Sequence, residues 1–142
     1  MTTYERDFYA WTQEQATLLR EQRFTRLDID NLVEEIESMG RSERRQLVSR
    51  LEILLMHLLK WQYQPELRGR RWELAITEQR RRIAKVLRAN PSLRPDLPDL
   101  LLEAYDDATF SAMRETGLPQ ATFPPLCPFP LTEVLGEGWL PG

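Results

Sequence analysis

The stretch Leu47-Val48-Ser49-Arg50-Leu51-Glu52-Ile53-Leu54-Leu55-Met56-His57-Leu58-Leu59-Lys60-Trp61 decides the fold. Placed at about 100° per residue, its apolar side chains cover well over half of a helical circumference. A helix that is apolar nearly all round is a buried one. Ser42 can cap it and Pro65 ends it, so a central helix is expected over about 42–64. The longest unbroken apolar run, Ile53-Leu54-Leu55-Met56, is far short of the roughly 18 residues needed to span a bilayer.

Working outward, the segments on either side are also helical and no strand is read. Residues 7–23 carry Phe8, Trp11, Gln15, Leu18, Leu19 and Gln22 on one face, with Asp7 as N-cap. Residues 29–39 carry the stripe Ile29, Leu32, Val33, Ile36 and Met39, with Asp30, Glu34 and Glu37 opposite. Gly40 is the residue type that closes a helix, so a break is expected there; the alternative is a single bent rod through 29–64. Beyond the central helix, residues 72–89 repeat the pattern through Trp72, Ile76, Ile83, Val86 and Leu87 and end at Asn90-Pro91. Residues 96–116 follow, with Pro98 in the first turn, where a missing N–H costs little, and Gly117 after the end. Residues 118–142 hold six of the ten prolines but also Phe123, Phe129, Val134 and Trp139, too apolar for a disordered tail. An extended segment packed on the helices is expected, with one short turn capped by Thr132. The fold class is thus all-α, a bundle of about five helices around the central apolar helix in a single domain over 1–142.

Several strings resemble a known family. Tyr4-Glu5-Arg6-Asp7-Phe8-Tyr9-Ala10-Trp11, Asn31 to Gly40, Leu55 to Tyr63 and Asn90-Pro91-Ser92-Leu93 are similar to the bacterial domain-of-unknown-function 29 family, and the likeness runs to Cys127-Pro128-Phe129. The resemblance implies a compact up-and-down helical fold. It supplies no activity, cofactor or catalytic residue.

The net charge of −3 conceals a segregation. Residues 1–43 carry −5, residues 44–94 carry +9 and residues 95–142 carry −7. A basic middle between acidic ends can neutralise itself within one fold, so it need not imply an external polyanion. Cys127 is the only cysteine and the polar start Met1–Arg6 leads straight into a helical pattern. A reducing cytoplasm, with no export and no membrane, is the expected compartment.

His57, the single histidine, is the first candidate site residue, with Glu35 from the preceding helix as its natural carboxylate and Glu52 and Trp61 beside it. Di-metal bundles use Glu-x-x-His, but Leu54 stands three residues before His57, so that signature is missing. A histidine satisfied by a hydrogen bond at the core's edge is the preferred reading, and no metal or cofactor is assigned. Glu35 and Glu52 need partners if they lie near a core, with Arg44, Arg45 or Arg50 as candidates. Arg71, Arg81, Lys85 and Arg88, with Arg68, Arg70, Arg80 and Arg82, form a basic patch near Trp61 and Trp72 that could hold a phosphate backbone. No helix-turn-helix, zinc-finger or RNA-binding signature accompanies it, and the acidic pI near 5.3 opposes general nucleic-acid affinity. Cys127 lies among prolines and aromatics and reads as a small hydrophobe. Gly-rich phosphate loops and Gly-x-Ser-x-Gly elbows are missing, so no catalytic residue is assigned. The leading expectation is a non-enzymatic interaction or regulatory protein with an unidentified protein partner or self-association. A nucleic-acid-associated factor and a metal or small-enzyme site near His57 are the alternatives.

Overall fold

The computed structural model describes residues 2–142. Its helices are α1 (Thr3–Arg6), α2 (Phe8–Arg20), α3 (Ile29–Tyr63), α4 (Arg70–Ala89), α5 (Leu97–Thr116) and α6 (Leu131–Val134), with short 3-10 turns between them and no strand among the described residues. No helix is long and apolar enough to cross a membrane. The all-α class read from the sequence is what the chain adopts. The chain divides into two compact units, Met1–Ser42 and Glu43–Gly142.

The expected break at Gly40 is corrected: α3 is one continuous helix of 35 residues. Left-handed closure needs a positive φ, and the residues that have one are Gln22, Gly117 and Gly138, not Gly40. A glycine inside a helix costs only about 1 kcal/mol relative to alanine. Its neighbours Met39, Arg41, Glu43, Arg44 and Arg45 are straight-chain helix formers that carry the helix through. Ser42 therefore lies inside a helix rather than capping one.

In the first unit, Asp7 caps α2 as expected, accepting the Ala10 N–H at 3.0 Å. Thr2 and Glu5 form a reciprocal capping box on α1. The short α1 is further held by edge-to-face contacts of Tyr4 with Phe8 and Trp11. α2 and α3 are joined through Asp28. Its carboxylate accepts from Trp11 Nε1 at 2.9 Å and from Asn31 Nδ2 at 2.8 Å, while its backbone N–H donates to Gln15 Oε1 at 2.8 Å. Trp11 is the only apolar side chain this unit buries among its described residues. The stripe Ile29, Val33, Ile36 and Met39, which its spacing marks for burial, stands exposed, and this corrects the sequence reading.

The second unit holds the core. Leu47, Leu51, Leu54, Leu55, Leu58 and Leu59 of α3 are sealed from solvent. They pack with Ile76, Ile83 and Leu87 of α4, Leu100, Ala104 and Ala108 of α5, and Phe123, Phe129 and Val134 of the C-terminal segment. The apolar 42–64 stretch is therefore the axis of this unit. Gly117 (φ 74°) closes α5 in the left-handed conformation. The Pro-rich segment packs on the core as expected, but Pro130, not Thr132, occupies the N-cap of α6, without a side-chain cap. Instead Arg80 pins this segment from α4: its guanidinium donates to the carbonyls of Val134 at 2.9 Å, Trp139 at 2.8 Å and Glu133 at 3.3 Å.

Candidate functional site

His57, Glu35 and Glu52 each have a hydrogen-bond partner within the fold. His57 Nδ1 lies 2.9 Å from the Ile53 carbonyl, one turn back on α3. Burial, with Lys60 nearby, holds its imidazole below the ordinary pKa, in the neutral form. Lys60 is itself tucked in, 13% exposed, with its ammonium 4.8 Å from the Trp72 ring and 3.9 Å from Glu115. Glu35 accepts a hydrogen bond from the Tyr4 hydroxyl, and this bond pushes the phenol up to about 12. Glu52 accepts from Ser111 Oγ at 2.8 Å rather than from Arg44, Arg45 or Arg50. Trp61 is buried, with the Arg68 guanidinium 5.2 Å from its ring and Arg68 Nε donating to its carbonyl.

Pairing of His57 with Glu35 required a turn between two helices. Continuous α3 has no such turn, and the two residues stand in different units. No group of three or more His, Cys, Asp or Glu side chains suited to a metal ion occurs among the described residues. The four members of that candidate site are thus not brought together.

The basic patch sorts into two populations. Arg68 and Arg80 bind backbone: Arg68 spans the Trp61 and Gly142 carbonyls, and burial holds the Arg80 guanidinium below its usual range. Arg70, Arg71, Arg81, Arg82, Lys85 and Arg88 remain exposed. Glu78 is the carboxylate on that face, bonded to Arg82 at 2.8 Å and held below the ordinary carboxylate range by it. Self-neutralisation is partial. Arg44 meets Glu103 at 3.1 Å and Lys60 meets Glu115, yet Arg71, Arg81, Lys85 and Arg88 form no ion pair among the described residues. The tryptophans expected beside this face are engaged by Lys60 and Arg68 instead.

Two features escaped the sequence reading. One is a recess between α5 and the C-terminal segment, lined by Leu102, Tyr105, Phe123, Pro124 and Cys127. The Tyr105 hydroxyl donates to the Pro124 carbonyl at 2.6 Å, and burial pushes the Cys127 thiol up, away from a reactive thiolate. The other is the uncovered row of α3. Ile29, Val33 and Ile36 fall within an arc of about 60° at helical spacing, and Ile36 is 61% exposed. No signal in the sequence marked it, since its spacing is that of a buried stripe.

These observations define a class: an all-α protein in which His57, Glu35 and Glu52 are hydrogen-bonded within the fold, and which exposes a basic face on α4 and an apolar row on α3. The chain belongs to the family described as Domain of unknown function DUF29, which matches residues 3–140. No curated protein and no solved structure matches it.

Proposed function

We propose that this protein is a small cytoplasmic, non-enzymatic interaction or regulatory protein. The observation that carries the reading is the exposed apolar row Ile29, Val33 and Ile36 with Met39 in the first unit. Contiguous exposed apolar surface on a small unit marks a place where another molecule packs. The satisfied state of His57, Glu35 and Glu52 supports a structural rather than a chemical role for them. The test is site-specific photo-crosslinking in the source cells. A benzophenone side chain at Val33 is expected to give discrete protein adducts, and one at exposed Glu66 is not. No adduct at Val33 contradicts the reading.

A second reading has its own support. The exposed row Arg81, Lys85 and Arg88 of α4 lacks internal carboxylate partners, as a phosphate-binding face requires. Binding of duplex DNA or single-stranded RNA at low salt, abolished by reversing these three charges to Glu, is its expected signature. Undetectable binding at low salt, where counterion release contributes most, ends it.

A further inference from the structure

We infer that the bare row of α3 receives an amphipathic helix whose apolar stripe is flanked by lysines or arginines, supplied by another protein. The inference rests on the interaction reading above and gives the partner its chemistry. At about 100° per residue Ile29, Val33, Ile36 and Gly40 share one narrow arc and rise over about 16 Å, three turns of helix. A methyl group on Gly40 would meet nothing within 4 Å, so the end of the row stands in open space and sets no obstacle to a neighbouring helix. Ile29, Val33 and Ile36 stand at i, i+4 and i+7, the anchor spacing by which the apolar face of one amphipathic helix meets another.

Charge selects the occupant. Asp30, Glu34 and Glu37 line one flank of the row, all exposed, and Arg41 is the one base there, already 3.1 Å from Glu34. Residues 1–42 hold nine acids against five bases. The other flank is taken: Leu32 and Glu35 are half-buried, with Glu35 bound to Tyr4. A second copy of this chain fits poorly. Antiparallel two-fold pairing on the row brings like flanks together, setting Asp30, Glu34 and Glu37 against the same three acids. Parallel pairing runs the acidic flank into the flank that α1 and α2 already use. The basic helix α4 of another copy fits no better, since its apolar residues Ile76, Ile83 and Leu87 are sealed in its own core. A separate helix with basic flanks satisfies both the row and its acidic border.

Two designed 15-residue helical peptides with the same leucine stripe test this, one flanked by lysines and one by glutamates. Binding to the full-length chain is followed by fluorescence anisotropy at physiological salt. The lysine peptide is expected to bind about tenfold or more tighter than the glutamate peptide. Ile36→Asp is expected to weaken the lysine peptide by about tenfold although it adds an acid. Tighter or unchanged binding reduces the effect to bulk charge and overturns the inference. Ile36→Gln, a good helix former without charge, is the second variant and is expected to weaken binding while preserving helical content. Reversal of Glu34 and Glu37 to Lys removes the preference between the peptides if the flank sets it; retained preference overturns the inference. Equal binding of both peptides, binding of neither, or a dimer in sedimentation that Ile36→Gln dissolves also overturns it. In those cases crosslinked adducts at Val33 would still uphold the broader interaction reading, whereas their absence would end both.

Discussion

The two ends of α3 carry the same apolar spacing and meet opposite fates. Leu47, Leu51, Leu54 and Leu58 are sealed in the core, whereas Ile29, Val33 and Ile36 on the same helix stand in solvent. Periodicity is a property of the helix alone, and coverage depends on what its surroundings supply. The second unit brings two long helices and an apolar C-terminal segment to its half of α3. The first brings α1 and α2, which attach through Trp11, Gln15 and Tyr4, largely by hydrogen bonds. This asymmetry is the observation on which the proposed interaction function rests.

The largest expected contrast comes from truncating each half. Leu54→Ala deletes fully buried methyl groups and should cost about 2–5 kcal/mol in denaturant unfolding. Ile36→Ala, at an exposed position of the isolated protein, should stay within about 0.5 kcal/mol. Similar losses at both sites would break the comparison. Next, Arg80→Ala frees the carbonyls of Val134 and Trp139 and loosens the segment that covers the core, at a cost of about 1–3 kcal/mol. Limited proteolysis should then cut within 131–142 (α6 and beyond). Arg80→Lys should not restore resistance, since one ammonium cannot reproduce the guanidinium fork. Smaller again, Trp11→Phe keeps the ring but removes the bond to Asp28, and should cost about 1 kcal/mol of the first unit's local stability, read by amide exchange.

The smallest effect is a pH slope confined to the covered half. Burial holds the His57 pKa below 6.5, so the unfolded chain takes up this proton at higher pH than the folded one. Its effect is therefore absent above pH 6.5, and stability falls as the pH drops from there through the folded value. His57→Gln should flatten Tm between pH 7 and 5.5, and an unchanged slope would show that His57 is not desolvated.

Much of the fold was legible because it is written in local physics. Asp7 as a cap, the stop at Asn90-Pro91, Pro98 in a first turn and left-handed Gly117 each follow from one residue's chemistry. The all-round apolarity of 47–61 identified the buried axis. What was not legible depended on distant partners. Gly40 reads as a terminus by type, but helix-forming neighbours outweigh its modest cost. Thr132 lies inside the short α6 after Pro130, and the segment is held from a distance by Arg80, 52 positions earlier than Thr132 in the chain. The expected pairing of His57 with Glu35 needed a turn that the continuous α3 lacks, and Glu35 bonds to Tyr4 and Glu52 to Ser111. Exposure of Ile29, Val33 and Ile36 was not legible, because their spacing is that of a buried stripe and coverage depends on distant elements.

Amide hydrogen exchange along α3 in the isolated full-length protein tests the central claim most directly. Amides of residues 47–63 should open only with global unfolding, while those of 33–41 should exchange through local opening at a clearly lower free energy. Equal protection along the whole helix would contradict it, because a bare half cannot be as stable as a covered one.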